Sequence, residues 1–237
     1  MLNYQVLGQG VRTIVFLHGF MGDINSFRGI ANGLKGESRV VLVDFGFHKS
    51  EFPASTLDEY VLLVRDILNA EGIGEAYFVC HSFGGRVGVR LARRFPALVK
   101  SLILIDSAGL KPRRSPVYYA KVFTHKLLKK LGKKGLNGSK DFRLLNESQK
   151  RVFLSVINDN TDADLKYVTA NTLIIWGSID RETPLYMARR YRRKLPNSSL
   201  IILKGAGHFS YVEKKGETLS VIRAYISDDD CSSVNII

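Results

Sequence analysis

Short apolar runs recur along the chain, and each is bounded by glycine, proline or polar residues that favour turns. The runs are rich in β-branched residues, and several are apolar at every position rather than at alternate ones. This pattern is typical of strands that are buried on both faces of a parallel sheet. The runs predict six strands: Thr13–Leu17, Arg39–Val43, Tyr77–Cys80, Leu102–Ile105, Thr172–Trp176 and Leu200–Leu203.

Segments with helical periodicity lie between these strands. Thr56 and Glu59 have the spacing of a capping box, which predicts a helix that continues through Leu68. A second helix is predicted after Ser82, and a third begins at Thr183-Pro184, where a capping residue precedes a proline. Strands that alternate with helices predict an α/β fold with right-handed crossovers, built on a mostly parallel sheet flanked by helices.

The alternation is interrupted once, between the fourth and fifth predicted strands. Apolar residues at every fourth position predict a helix over Val117–Leu131, with lysines on its other faces. Asn146 and Gln149 predict the cap of a second helix, which contains Val152, Phe153 and Val156. We interpret this segment as a helical lid that covers one edge of the sheet.

The lid divides the predicted fold into separate parts of the chain. Residues 1–108 form the first part of the core, and residues 109–170 form the lid insertion. The core continues over residues 171–227, and residues 228–237 form a flexible acidic tail.

Positive charge is concentrated in the insertion. The formal net charge is +13, and the segment from Lys111 to Arg151 holds thirteen Lys or Arg residues against two acidic ones. Such a patch attracts nucleic acid, an anionic membrane surface or an acidic substrate, or is a solvated face. No recognition-helix, zinc-finger or RNA-binding motif accompanies it, so we expect no nucleic-acid partner. Contact with a membrane surface stays an open but less favoured alternative, and the oligomeric state is left open.

The cellular setting is predicted from what the sequence lacks. Cys80 and Cys231 are the two cysteines, and their separation fits neither a disulfide scaffold nor a metal site. The sequence has no run of 18 apolar residues, and its first ten residues lack the features of a signal peptide. We expect a cytoplasmic globular protein with no metal and no cofactor.

The segment Cys80-His81-Ser82-Phe83-Gly84-Gly85 lies directly after a predicted buried strand and directly before a helix. This is the context of a nucleophile elbow, a sharp turn that exposes a serine hydroxyl. Gly84 meets the need for a small residue two positions after the serine. Cys80 stands where the pattern has glycine, so we expect a tighter turn than usual.

A carboxylate and an imidazole follow later strands. Asp180 lies in the loop after the fifth predicted strand, and His208 lies between Gly207 and Phe209 after the sixth. A serine hydroxyl needs a neighbouring base to become a nucleophile, and the base needs a partner that fixes its tautomer. The segment Leu17-His18-Gly19-Phe20 after the first strand places the backbone N–H of Phe20 opposite that of Phe83, where the two would hold an oxyanion.

With these four ordered motifs, the sequence from Tyr4 to Ile226 resembles the α/β-hydrolase superfamily, in particular its lid-bearing serine esterases and carbon–carbon bond hydrolases. The resemblance implies an eight-stranded sheet whose leading strand is missing or short here. It also implies that Ser82, His208 and Asp180 form a catalytic triad. Residues 44–50 depart from the Pro-Gly-x-Gly loop of relatives, so the shape of the substrate pocket is the least transferable feature.

The resemblance implies a serine hydrolase that acts on a carboxylic ester of a small acyl group through an acyl-enzyme. Two alternatives stay open. The same triad hydrolyses carbon–carbon bonds of vinylogous diketones in some relatives, and other members of the fold bind ligands without catalysis.

Several other residues compete for the catalytic roles. Asp106 ends the strand after the elbow helix and is the main alternative to Asp180 as the acid. His81 and His18 adjoin the predicted site, where we expect structural roles for both. His48 is a weaker candidate for the base, and Cys80 is expected to be a core residue. His125 falls in the basic lid, where we expect it to be solvated.

Overall fold

A computed structural model describes residues 2–113 and 145–234, and these contain one seven-stranded sheet. Its spatial order is β1-β3-β2-β4-β5-β6-β7, in which β1 is antiparallel to β3 and the other neighbours are parallel. The strands are β1 Asn3–Leu7, β2 Arg12–Leu17, β3 Ser38–Asp44, β4 Ala76–His81, β5 Val99–Ile105, β6 Asn171–Gly177 and β7 Ser198–Leu203. All six predicted strands are present, and β1 is an additional edge strand.

Seven α-helices connect these strands within the described residues. Their bounds are α1 Arg28–Leu34, α2 Leu57–Ala70, α3 Phe83–Arg94, α4 Glu147–Asn158, α5 Tyr186–Lys194, α6 Ser210–Glu213 and α7 Lys215–Val234. Short 3₁₀ turns occur at Pro96–Leu98 and Leu165–Tyr167.

Side-chain caps explain where two of the predicted helices begin. The Thr56 hydroxyl accepts a hydrogen bond from the Glu59 N–H at the start of α2. Asn146 and Gln149 form a complete capping box at the start of α4, as their spacing predicted. The third predicted start was wrong, because α5 begins at Tyr186 rather than at Pro184. Thr183 is not its cap, because the Thr183 hydroxyl binds the carboxylate of Asp180 instead.

The sheet has a hydrophobic layer on each face. Successive residues of β2 alternate between the two layers, with Val15 and Leu17 in one and Ile14 and Phe16 in the other. All four are fully buried, which accounts for the continuous apolar runs of the inner strands. Helices α2 and α3 supply buried residues to the first layer, whereas α1 and α7 supply them to the second.

Two predictions concern the inserted segment and the end of the chain. The predicted helix over Val117–Leu131, its lysines and His125 lie outside the described residues. The flexibility expected of residues 228–237 stays a prediction, and the backbone of residues 228–234 continues α7 to Val234. Adding a residue to an existing helix costs far less than starting one, so the helix extends past the buried Ile226.

No helix in the described part of the chain has the length and apolarity that crossing a membrane requires.

A network of ion pairs joins α3 to the segment that follows α4. The Arg90 guanidinium lies 2.6 Å from a carboxylate oxygen of Asp164, 2.8 Å from one of Asp159 and 3.0 Å from one of Asp58. The Asp164 side chain is only 3% exposed and also pairs with Arg93. This network fixes the position of the end of α4 relative to α3.

We expect Arg90→Ala to lower the free energy of unfolding by about 2 to 4 kcal/mol, because it leaves the buried Asp164 carboxylate with one cation instead of two. Lys214→Ala is the matched control, since its pair with Glu217 is solvent-exposed and worth at most about 1 kcal/mol. Urea denaturation of both variants measures the difference. Equal losses would show that the network does not stabilise the fold.

Candidate active site

Ser82 occupies a sharp turn between β4 and α3. Its backbone has φ +47° and ψ −109°, a conformation that is strained for a residue with a side chain. The turn is possible because Gly84 and Gly85 follow it. A Cβ atom on Gly84 would overlap the Leu17 carbonyl oxygen, and one on Gly85 would overlap the Ser107 hydroxyl. The turn therefore presents the Ser82 hydroxyl at the carboxyl ends of the strands.

Cys80 is accommodated in this turn by a third glycine. A Cβ atom on Gly88 would lie 2.6 Å from the Cys80 sulfur, so the absence of a side chain at this one position of α3 makes room for the thiol. Cys80 is completely buried, and burial raises the pKa of its thiol well above the ordinary value. A buried thiol that resists ionisation is a core residue rather than a nucleophile.

The three residues expected to form the triad lie within hydrogen-bond distance of one another. Ser82 Oγ is 3.1 Å from His208 Nε2, and His208 Nδ1 is 2.9 Å from Asp180 Oδ2. An ionised Asp180 accepts a hydrogen bond from the Nδ1–H group, which keeps the proton on Nδ1 and leaves Nε2 unprotonated and facing the serine hydroxyl.

The loop after β6 holds the Asp180 carboxylate in this position. Its Oδ1 atom accepts hydrogen bonds from the backbone N–H groups of Glu182 and Thr183, and its Oδ2 atom accepts one from the Thr183 hydroxyl. Burial alone would raise the pKa of Asp180, but the hydrogen bonds from His208 and Thr183 outweigh it and hold the pKa below its ordinary value. This role of Thr183 was not predictable from sequence, because a threonine before a proline is typical of a helix cap.

Asp106 lies beneath the site and binds different partners. Its carboxylate accepts hydrogen bonds from the Gly177 N–H at 2.8 Å, from the Ser210 N–H at 3.2 Å and from the Ser210 hydroxyl at 2.5 Å. Burial raises the pKa of Asp106 to about 7, although these hydrogen bonds act in the opposite direction. Asp106 therefore joins the end of β6 to the segment after His208, whereas Asp180 contacts the imidazole.

The histidines near the turn have structural contacts. His81 is buried, and its Nε2 atom lies 2.8 Å from the carbonyl oxygen of His208, to which it donates. Burial and the nearby His208 lower the pKa of His81 to about 3, so it is neutral. His18 donates from Nδ1 to the Gly19 carbonyl and accepts at Nε2 from the Phe45 N–H. Exposed His48 lies beside Asp44, 3.7 Å from its carboxylate.

The two backbone N–H groups expected at the oxyanion position are available. Phe83 is the first residue of α3, where N–H groups have no acceptor within the helix. Phe20 lies in the turn after β2. Across residues 2–113 and 145–234, neither N–H donates to a protein acceptor.

An apolar cavity lies beside this turn. Its aromatic lining residues are Phe20, Phe47, Phe52, Tyr60, Phe83 and Phe153. Phe47 comes from the loop that departs from the family pattern, and Phe153 comes from α4. Arg86 also borders the cavity and is its one charged lining residue among those described. Neither the aromatic set nor Arg86 was predictable from sequence as part of a pocket, because the lining residues come from separate elements.

The chain has the α/β-hydrolase fold, and two family models match it. Residues 12–123 match a family model described as alpha/beta hydrolase fold, and residues 155–231 match one described as TAP-like protein.

Individual relatives carry hydrolase names. The "Uncharacterized hydrolase YugF" of Bacillus subtilis is 28% identical over 89% of this chain and 88% of its own length. "Lipase 1" of Psychrobacter immobilis is 26% identical over 90% of this chain and 76% of its own. The "2-hydroxy-6-oxononadienedioate/2-hydroxy-6-oxononatrienedioate hydrolase 2" of Pseudomonas putida is 27% identical over 90% of this chain and 86% of its own.

Among solved structures, MGS-MChE2, an α/β hydrolase from a sediment metagenome of the Mar Chica lagoon in Morocco, has the same fold. It superposes with a TM-score of 0.74 at 23% identity and covers 97% of this chain and 96% of its own. The protein is therefore a hydrolase of the α/β-hydrolase fold.

The buried, neutral His81 leads us to predict how the stability of the fold depends on pH. Its pKa of about 3 in the folded protein lies below the ordinary 6.5, so between these values the unfolded chain takes up a proton that the folded protein does not. His81 therefore makes stability fall as the pH falls below about 6.5. We expect the wild type to lose about 2 kcal/mol more than His81→Gln between pH 7 and pH 5.

Glutamine keeps a side-chain N–H for the His208 carbonyl and does not titrate, so it is a suitable comparison. Denaturant titrations of the two proteins at several pH values measure the slope of the free energy of unfolding against pH. Parallel slopes would contradict the account of His81 as a buried neutral group.

Proposed function

We propose that the protein is a serine hydrolase that cleaves carboxylic esters through an acyl-enzyme, with Ser82, His208 and Asp180 as its triad. The observation that carries this proposal is the continuous series of contacts from Asp180 Oδ2 to His208 Nδ1 and from His208 Nε2 to Ser82 Oγ. The similarity to a lipase over most of the chain supports the same class of reaction.

In the first half of the reaction, Ser82 Oγ attacks the ester carbonyl carbon while His208 Nε2 takes the hydroxyl proton. The Asp180 carboxylate stabilises the imidazolium that forms. The N–H groups of Phe20 and Phe83 hold the oxyanion of the tetrahedral intermediate, an interaction worth about 100- to 1,000-fold in rate for each donor. His208 then returns its proton to the leaving oxygen, and the alcohol departs.

In the second half, water attacks the acyl-enzyme carbonyl while His208 Nε2 takes a proton from it. A second tetrahedral intermediate forms in the same oxyanion position. Its collapse returns the proton to Ser82 Oγ and releases the carboxylic acid. The His208 ring is 14% exposed while the Asp180 side chain is fully buried, so solvent reaches the imidazole and not the carboxylate.

A second candidate reaction is the hydrolysis of a carbon–carbon bond in a vinylogous diketone. The Pseudomonas putida relative, whose name states a hydrolase of an oxo-dienedioate, favours this alternative. The same serine and histidine would act on a ketone carbonyl, with a carbanion in place of the alkoxide as the leaving group. Parallel assays with a vinylogous diketone and a p-nitrophenyl ester distinguish the two reactions. An esterase hydrolyses the ester and leaves the diketone unchanged, whereas a carbon–carbon bond hydrolase cleaves the diketone.

The choice of acid can be tested with two isosteric variants. We expect Asp180→Asn to lower kcat for p-nitrophenyl butyrate by about 10⁴-fold, because the amide favours the wrong tautomer of His208. Asp106→Asn should lower kcat by less than about 100-fold, with a measurable loss of stability, because Asp106 binds Gly177 and Ser210 rather than the imidazole.

Ser82→Ala is the control for background hydrolysis, and circular dichroism confirms folding of each variant. If Asp106→Asn abolished turnover while Asp180→Asn retained it, the assignment of the acid would be reversed. If the wild type hydrolysed neither the ester nor the diketone, a ligand-binding role would replace the proposed reaction.

A further inference from the structure

Arg86 lies one helical turn after Ser82, on the same side of α3. Its side chain is almost completely buried, with 8% of the residue exposed. It borders the aromatic cavity and also a second cavity, which lies between residues 109–112 and the end of α4. Arg86 therefore borders two spaces, and the first of them is also lined by Phe83, the residue that follows the proposed nucleophile.

Among the described residues, no carboxylate contacts the Arg86 guanidinium, although the charge of Asp159 attracts it from further away. Its one hydrogen bond runs from Nη1 to the Asp159 carbonyl oxygen at 2.8 Å, and no carboxylate of the described residues lies within 4.0 Å. Arg90, one turn further along α3, has three such partners, including the carboxylate of the same Asp159. The two arginines thus differ: Arg90 is paired within the protein, and Arg86 is not.

A buried cation with no carboxylate in contact is costly, and burial accordingly lowers the pKa of Arg86, although the charge of Asp159 acts in the opposite direction. An arginine nevertheless stays protonated at neutral pH. The Asp159 carbonyl lies at the C-cap of α4, where the helix end carries partial negative charge and offsets part of this cost. That contact uses one of five N–H donors and leaves a planar group suited to bidentate binding of a carboxylate.

We propose that Arg86 binds a carboxylate at the far end of the substrate's acyl chain, so that the preferred substrates are half-esters of short dicarboxylic acids. The proposal rests on the esterase function proposed above. The ester carbonyl lies at Ser82, the methylene groups lie against the aromatic wall, and the terminal carboxylate pairs with the guanidinium. The formal net charge of +13 attracts such anions to the protein from solution.

The test compares monoethyl succinate, glutarate and adipate with the corresponding ethyl esters that carry a terminal carboxamide. The amide has nearly the same shape as the carboxylate and lacks its charge. We expect the wild type to prefer the carboxylate of at least one chain length by about 10- to 100-fold in kcat/KM, mainly through KM. Arg86→Met should abolish the preference, and Arg86→Lys should retain part of it.

Arg189→Met is the matched control, because it removes one positive charge from an exposed position on α5. It should leave the preference unchanged. A purely structural role for Arg86, as an anchor for the end of α4, would lower stability and the turnover of acid and amide esters alike. An unchanged ratio in Arg86→Met, or no preference in the wild type, would overturn the proposal.

Calorimetric titration of the wild type with glutarate and with glutaramide gives a readout that does not depend on turnover. The proposal predicts that glutarate binds more tightly and that Arg86→Met removes the difference. Hydrolysis of neutral p-nitrophenyl butyrate reports the esterase function separately. Turnover of that ester without glutarate binding would reject the carboxylate site alone, whereas glutarate binding without turnover of any ester would reject the esterase function alone.

Discussion

The strained turn at Ser82 is held in place by close packing against the ends of the neighbouring strands, and the geometry of the site depends on that packing. The Ser82 N–H donates to the Ile105 carbonyl, and the Gly84 N–H donates to the His18 carbonyl. The Ser82 carbonyl in turn accepts from the Ala108 N–H. These bonds join the turn to β2 and β5, so the serine hydroxyl and the Phe83 N–H have fixed positions before any substrate binds. Such preorganisation is what a site that stabilises an oxyanion requires.

A second constraint relates the loops that carry the acid and the base. Asp180 and His208 belong to loops after different strands, and their relative position determines whether the imidazole reaches Ser82. Asp106 binds the Gly177 N–H before the first loop and Ser210 after the second, from a buried position beneath both. His81 adds a bond to the His208 carbonyl. The alignment of the candidate triad therefore relies on buried polar groups that do not take part in the proposed chemistry.

The strands, and the candidate catalytic residues in the segments after them, were predictable from sequence. The strands themselves follow from continuous apolar runs, and the parallel arrangement brings Ser82, Asp180 and His208 to one edge of the sheet because each follows a strand directly. The helix starting at Asn146 was predictable because a capping box is a local signal. The start of α5 was not, because the Asp180 carboxylate competes for the Thr183 hydroxyl, and that contact belongs to the folded loop.

The residues that line the pocket could not be predicted from sequence, for a related reason. Its walls combine the loop containing Phe47, the turn containing Phe20 and helix α4, which are far apart in the sequence. Arg86 is one of many arginines along the chain, and nothing in its sequence context distinguishes it from Arg90. The distinction lies in which carboxylates the fold places around each of them. Specificity in this protein therefore depends on long-range packing, whereas the proposed chemistry depends on local motifs.

Intact-protein and peptide mass spectrometry after treatment with a fluorophosphonate probe determines whether His208 activates Ser82, because the probe reports an activated serine without knowledge of the substrate. The account predicts a single adduct on Ser82 in the wild type and no adduct in folded Ser82→Ala or His208→Ala protein. A folded wild-type protein that acquires no adduct, or an adduct on Ser82 that persists in His208→Ala, would contradict the claim that His208 activates this serine.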